Sequence, residues 1–224
     1  KGAIIFESPN NKIKSFKNKI LLTKIEKTIA HNIVAEAMIL MGYVTGLFIS
    51  KYKLGASYRV QKINCDPNEI LNKYKNSEIK YIILKQYMGK SYITTKPGNH
   101  ESLGISLYVQ CTSPLRRYLD LIIQRQVYNK INNYEPISLN SISTIIDYSK
   151  NKQIEINNLI KNDRFKYLSL FFKNENKPFY KIIFVKWINN KRNIALVFFP
   201  EYSLEILITL FVSIEIYNNK TYKV

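Results

Sequence analysis

The sequence predicts an α+β protein, and three observations lead there. Residues 1–175 carry apolar residues mostly at helical spacing. Residues 176–224 carry short β-rich runs broken by Pro and Asn turns. Hydrophobic residues make up 46% of the 224, enough for a packed core and too many for wholesale disorder.

Taken in order, Gly2–Glu7 and Ile13–Leu22 read as two strands around a turn at Ser8–Asn11. A long helix is expected from about Thr28 to Lys51. Ile29, Ile33, Ala37, Leu40, Met41, Val44 and Phe48 would form its inner face. The run from Ile29 to Ile49 contains His31, Asn32 and Glu36, which favours a buried helix over a membrane span. Glu36 sits close to the inner face, so it is paired in the core or lines a cleft. Ser57–Gln61 is a short polar crossing that carries Arg59. Asp66, Pro67 and Glu69 have the form of an N-cap, an N1 proline and a capping-box acid, opening a helix to about Lys75.

Glu78–Met88 reads as another helix and Ser91–Thr95 as a strand. Pro97–Gly104 is a polar loop holding His100, and a lone loop histidine is ordinarily a surface one. Leu139–Phe172 reads as one or two long helices, with Ile142, Ile145, Ile146, Ile154, Leu159, Leu168 and Phe172 inward. A boundary falls at Lys173–Pro178, dividing a domain at 1–175 from a small one at 176–224. In the latter, Phe179–Ile188, Ile194–Phe199, Leu204–Ile208 and Leu210–Tyr217 alternate as strands, with an Asn-Asn turn near 189–190. An antiparallel barrel of the OB type fits this pattern, and some of its aromatics (Phe179, Tyr180, Phe184, Trp187, Phe198, Phe199) would be free to stack bases.

Lys and Arg number 34 against 16 Asp and Glu, a net charge of +18. That balance suits a polyanion, nucleic acid first and an acidic membrane surface second. Heavy use of Asn, Lys and Ile, the bias of an AT-rich genome, is a competing source of the lysines. Cys65 and Cys111 give neither a disulfide framework nor a zinc pattern, so a reducing interior is the default compartment. No signal peptide is visible at Lys1. With no initiator Met and a strand-like opening, the chain reads as a piece of something longer.

The chemistry concentrates in Leu107–Gln126. Ser113 reads as an N-cap and Pro114 as the first helical residue. Leu115, Leu119, Ile122, Ile123 and Val127 follow at the spacing of one buried face. Arg116 and Arg117 then fall in the first turn, where the helix dipole already places positive charge. An anion bound there would resolve the conflict, since free N–H groups and two guanidinium forks make a phosphate site. Asp120 is placed to hold either fork. A solvated helix start is the competing reading, and these residues alone leave the two level.

Thr112–Asp120, TSPLRRYLD, resembles the signature of the RNB family, the ribonuclease II and ribonuclease R exonucleases. Tyr108, Thr112, Ser113, Pro114, Arg116, Arg117, Tyr118, Asp120, Leu121 and Arg125 match it. Gln110-Cys111 stands where the family has His-Phe, and Gln124 replaces a later His. His100–Gly104 is similar to the family's H-x-x-L-G, and Tyr92 matches a Tyr before it. Val34–Leu40 is similar to V-E-E-x-M-I-L, with Glu36 on the second acid and Ala35 in place of the first. Arg59 fits the F-R-x-H segment, whose His is Gln61 here. The likeness covers about residues 1–175, and the tail is similar in position to the family's OB-type RNA-binding domain.

The resemblance implies a 3′→5′ exoribonuclease that degrades single-stranded RNA to nucleoside monophosphates. It implies catalytic roles for Arg116 and Arg117, with Arg116 on the charge that builds at the scissile phosphate. It places Thr112, Ser113, Arg59, His100, Tyr108 and Arg125 on the RNA, with Asp120 and Glu36 orienting. It implies Mg²⁺ held by aspartates. This chain has only Asp66, Asp120, Asp147 and Asp163, each in a different segment. No metal ligand is therefore assigned here, and the ligands are expected in an N-terminal RNB half, attached or acting in trans. The expected compartment is a bacterial cytoplasm or an organelle of bacterial descent, with no membrane partner.

Three other functions compete. An RNA-binding or regulatory fragment would keep the basic channel and lack catalysis. A DNA-binding regulator would use 116–126 as a recognition helix, which its apolar density argues against. A membrane-surface role would need lysines focused on one helix face, and here they are spread.

Overall fold

The computed structural model describes residues 2–4, 10–17, 19–75, 77–175, 177–209 and 222–223. In chain order its elements are β1 (Asn11–Phe16), β2 (Lys19–Lys24), α1 (Ile29–Lys51), β3 (Tyr58–Val60), α2 (Pro67–Lys73), α3 (Lys80–Tyr87), β4 (Tyr92–Thr94), α4 (Tyr118–Ile131), α5 (Leu139–Glu175), β5 (Lys181–Asn189), β6 (Ile194–Phe199), β7 (Leu204–Thr209) and β8 (Tyr222–Lys223). The fold is α+β, as expected. Packing divides it into two units. One comprises Lys1–Ile5, Lys27–Cys65 and Tyr87–Leu159, and the other Phe6–Glu26, Asp66–Gln86 and Ile160–Val224. The sequence division at 175/176 separates segments along the chain, whereas these units are discontinuous and change over within α5.

In the first unit, Thr28 caps α1. Its Oγ1 accepts from the His31 backbone N–H, and His31 Nδ1 accepts from the Thr28 N–H. The face of α1 that packs inward is Gly42, Thr45, Gly46 and Ile49. The expected inner face is the opposite one: Ile29, Ile33, Leu40, Met41 and Val44 are all more than half exposed, and only Phe48 of that set joins the core. The reason is that α1 is apolar nearly all round, so periodicity cannot choose a side, and its tight face is made by glycines. By length and composition α1 is long and apolar enough to cross a membrane, and among the described residues most of it is exposed. Glu36 is likewise exposed and makes no ion pair among the described residues.

Around that glycine face, Ile49, Ala56, Tyr58, Val60, Val109, Cys111 and Ile123 form the core. A second cluster joins Leu119 and Ile122 of α4 to Ile142 and Ile146 of α5. β3 pairs antiparallel with β4. Buried Gln126 ties the unit together: its Nε2 donates to the carbonyls of Gly55 (2.9 Å) and Ile137 (3.0 Å), and its Oε1 accepts from the Ile137 N–H (2.7 Å).

In the second unit, β1 and β2 form a hairpin. Ile13–Leu22 is therefore two strands, not one. The turn is made by Lys17 in the left-handed region (φ 45°), with no glycine to announce it. Residues 2–4 form no strand, and 5–9 lie outside the described residues. Asp66 caps α2 by accepting from the Asn68 N–H (2.9 Å), as expected. α5 is one continuous helix. Its ends pack and its middle does not, so Ile154 and Leu159 are exposed where they were expected inward. Leu168 and Phe171 of α5 pack on Ile182, Ala195, Val197, Phe199, Tyr202 and Leu204.

The sheet runs β7-β6-β5-β8 and is open among the described residues, rather than a closed barrel. Phe198 and Phe199 are buried in it, Phe184 and Trp187 stack edge-on at 5.3 Å, and Phe179 is exposed. The strand expected at Leu210–Tyr217 lies outside the described residues.

Candidate nucleic-acid interface

The segment from Leu107 to Arg117 runs from the glycine face of α1 to the start of α4. Gly42 makes this possible. A Cβ there would lie 2.4 Å from the Tyr108 ring and 2.5 Å from the Val109 carbonyl. The Val109 N–H donates to the Gly42 carbonyl, and the Arg59 N–H donates to the Tyr108 carbonyl (2.8 Å), so the segment is clasped from both sides. The Cys111 thiol sits 3.6 Å from Thr45 Oγ1, and burial holds its pKa up. Gln124 Nε2 donates to the Cys111 carbonyl (2.7 Å). Gly104, after the turn that holds His100, has φ 65°. A Cβ there would also meet the Ala3 nitrogen at 2.7 Å.

The helix start differs from expectation. Residues 114–116 form a turn, Arg117 is the N-cap, and α4 begins at Tyr118. Ser113 does not cap by its side chain. Its carbonyl accepts from the Arg116 and Arg117 N–H groups, and its own N–H donates to Asp120 Oδ2 (2.9 Å). Asp120 therefore organises the turn from within α4. Its Oδ2 also accepts from Arg117 Nε (3.0 Å) and from the Arg117 terminal nitrogen (2.7 Å). The carboxylate is 1% exposed, and its Oδ1 has no partner. A first-turn carboxylate also suits the helix dipole. Leu115, expected on the buried face, is fully exposed because the helix has not yet begun there.

The two arginines consequently differ. Arg117 is half-buried and neutralised by Asp120. Arg116 is exposed and makes no side-chain hydrogen bond or ion pair among the described residues.

Arg59 approaches from β3. Its Nε donates to Ser91 Oγ (3.0 Å) and a terminal nitrogen to Gln110 Oε1 (2.9 Å). Burial works against its charge, the Tyr108 phenol and Asp120 favour it, and Arg117 opposes it. Tyr108 is half-buried; burial raises its phenol pKa, while Arg117 and Arg59 lower it. His100 is buried, not a surface loop residue. Its ring meets Tyr108 edge-on at 5.5 Å, and Ser102 Oγ lies 3.3 Å from its Nδ1. Burial, then the Arg59 charge, hold it below the ordinary imidazole value. Gln61 bonds Ser102 and the Gly89 carbonyl.

The structure thus brings together Arg59, His100, Tyr108, Ser113, Arg117 and Asp120, with Thr112 and Arg116 on the adjoining turn. Arg125 on α4 and Glu36 on α1 are exposed and bond to none of them. Sequence reasoning named Gln61, Gln110 and Gln124 only as departures from the family pattern and gave Gln126 no role. Gln61, Gln110 and Gln124 each hold a site segment by hydrogen bonds, and Gln126 anchors α4. It also missed the Gly42–Gly46 pair, whose four-residue spacing was the available signal.

An RNB-domain family model matches residues 1–133. The chain belongs to the RNB family. A cyanobacterial relative, the uncharacterized ribonuclease sll1290 of Synechocystis, is 27% identical over 209 residues, 92% of this chain and 31% of its own length. The mitochondrial exoribonuclease II of Saccharomyces cerevisiae is 29% identical over 127 residues, 51% of this chain and 13% of its own. Among solved structures, the Dss1 exoribonuclease of Candida glabrata, an active-site mutant, superposes with a TM-score of 0.83 at 17% identity, covering 99% of this chain and 30% of that one. Mycoplasma genitalium RNase R with ribose-methylated single-stranded RNA gives 0.77 at 17% identity, covering 93% and 38%. This RNB chain thus spans less than a third of either curated relative, and its fold matches both solved structures.

Proposed function

We propose that this chain is the RNA-gripping part of a 3′→5′ exoribonuclease that degrades single-stranded RNA to nucleoside monophosphates. One observation carries the proposal. On a turn held rigid by Asp120, Arg117 is neutralised and Arg116 is left exposed and unpartnered. A guanidinium in that state can place paired N–H groups on phosphate oxygens. In the proposed step, water attacks the terminal phosphorus and the bond to the shortened RNA's 3′ oxygen breaks. Arg116 stabilises the charge that builds on the non-bridging oxygens. Arg117 keeps the turn in place, and Thr112 and Ser113 offer hydroxyls to the same phosphate. Arg59 adds a second cation, with Tyr108 and His100 as the aromatic wall beside it. Arg125 would contact RNA away from this cluster, and the orienting role expected of Glu36 has no contact with the cluster to support it. The M. genitalium RNase R structures hold single-stranded and double-stranded RNA, which supports RNA as the ligand class.

Mg²⁺ does not fit the residues present. The described residues contain no group of three or more His, Cys, Asp or Glu able to hold an ion. The one carboxylate at the site has one oxygen committed to Arg117 and Ser113. No step here runs through a metal, and its carboxylates are proposed to come from other polypeptide. The same observation favours a second reading, an RNA-binding fragment without catalysis of its own. The cyanobacterial, mitochondrial and chloroplast relatives support a bacterial cytoplasm or an organelle as the compartment.

The test is Arg116→Ala in an assembly that also contains the carboxylate-bearing polypeptide. Turnover should fall by about 10²–10³, the usual loss for one oxyanion-stabilising donor. RNA affinity should change little, because many cations share the backbone contacts. A variant with full turnover would rule the role out.

A further inference from the structure

Arg59 and Arg117 are both half-buried, and they are held in opposite ways. Asp120 holds Arg117 with a carboxylate, which fixes the fork and cancels its charge. Arg59 is held by two neutral acceptors, the Ser91 hydroxyl (3.0 Å) and the Gln110 amide oxygen (2.9 Å). Among the described residues it forms no ion pair. Burial is the largest influence on its charge and opposes it. A charge taken out of water ordinarily has a counter-charge beside it. Here the protein supplies geometry without one. Backbone register selects both acceptors. β3 pairs with β4 so that Arg59 lies opposite Ile93, and Ser91 is two residues before Ile93 on the same face. On the other side the Tyr58–Val109 bridge sets Arg59 opposite Tyr108, and Gln110 is two residues after Tyr108. Both acceptors therefore occupy diagonal positions that a long side chain reaches.

We infer that Ser91 and Gln110 are positioning residues that fix the Arg59 guanidinium while leaving its charge intact for a backbone phosphate of single-stranded RNA. The inference rests on the proposed RNA-gripping reading and names what aims its second cation. Ser91 and Gln110 take Nε and one terminal nitrogen of Arg59. The other terminal nitrogen has no partner among the described residues, and its two N–H groups are the ones left for phosphate oxygens. The neutrality of the acceptors is what matters. A carboxylate at position 110 would hold the fork equally well and would cancel its charge, as Asp120 does for Arg117. Gln110 stands where the RNB signature has His, so this amide acceptor is a feature of this chain and not of the signature.

The test compares Gln110→Leu, Gln110→Glu and Ser91→Ala in the full chain by two readouts. The first needs no RNA and is the NMR order parameter of the Arg59 Nε–H. It should lie in the rigid range in the parent and fall below about 0.6 in Gln110→Leu. Ser91→Ala, a smaller change, should lower it too and serves if Gln110→Leu fails to fold. An order parameter that ignores both substitutions overturns the inference. The second readout is anisotropy with 5′-labelled single-stranded RNA. Gln110→Leu should weaken binding by about tenfold, on the order of one hydrogen bond to a charged group. In an Arg59→Ala background the same substitution should change nothing, because it acts only through the guanidinium. An equal loss in that background would mean a structural role and would overturn the inference. Gln110→Glu should keep Arg59 ordered yet reduce the salt slope of log K by about 0.7, one single-strand phosphate contact. A Gln110→Glu chain with the parent's salt slope would overturn it as well. The two claims fail separately. A parent that binds RNA while Arg59 ignores Gln110 and Ser91 overturns the positioning and leaves the RNA-gripping reading standing. A parent that binds no RNA at low salt overturns that reading and the phosphate as ligand, while an Arg59 that loosens in Gln110→Leu would still establish the positioning.

Discussion

Helices α1 and α4 lie in one unit and were read by the same rule, yet only α4 obeyed it. α4 buries Leu119, Ile122 and Ile123, the apolar face its sequence announces. α1 buries Gly42, Thr45, Gly46 and Ile49 and leaves its announced face open. The difference is composition. α4 alternates apolar residues with Gln, Arg and Asn, so only one face can be inside. Past Glu36, α1 is apolar on nearly every side, and its closest packing is made by residues with no side chain to score. Apolar periodicity locates an interior when polar residues mark the exterior. Otherwise it locates only surfaces that need cover.

Three substitutions sharpen the contrast. The largest effect is expected for Ile123→Ala on α4, where a side chain of 0% exposure leaves a cavity. It should cost about 2–5 kcal/mol by chemical denaturation, while Leu40→Ala on the open stripe of α1 should stay within about 0.5 kcal/mol. Equal losses would mean that the stripe is packed. Next is Gly42→Ala. Alanine favours a helix interior by about 1 kcal/mol over glycine. Here its Cβ would press the Val109 carbonyl, so a net loss of about 1–3 kcal/mol is expected instead. A gain in stability would show that the 107–111 segment does not sit against α1.

The smallest effect tests the layer behind Tyr108. Burial and Arg59 lower the pKa of His100 beneath its unfolded value of 6.5. The unfolded chain then binds the proton more readily, so His100's contribution to stability is full above that value and is lost as pH falls below it. The melting temperature of His100→Gln should therefore drop less than that of the parent between neutral pH and pH 5. Identical slopes would place His100 in contact with water.

Much of the fold was legible. The helix from about Thr28, the Asp66-Pro67 helix start, the long helix after Leu139 and the β-rich tail all follow from local signals. The hairpin at Lys17 was not, because its turn has no glycine or proline. The site was legible as a set of residues and not as a geometry. Arg116, Arg117 and Asp120 stood out by type and spacing. Which arginine Asp120 would hold depended on where α4 begins, and the Ser113-Pro114 pair imitates a helix start that the chain delays to Tyr118. His100 reads as surface in a polar loop, and only the contact with Tyr108 reveals it as buried.

The central claim is that this chain grips RNA with Arg59, Arg116 and their neighbours but lacks the carboxylates for hydrolysis. The most direct measurement incubates the chain alone with 5′-labelled single-stranded RNA and Mg²⁺, following binding by anisotropy and products on a gel. The account predicts binding that weakens with salt and with Arg116→Ala combined with Arg59→Ala, and no shortened products. A 3′→5′ ladder abolished by EDTA would contradict it, because the metal ligands would then have to lie within these 224 residues.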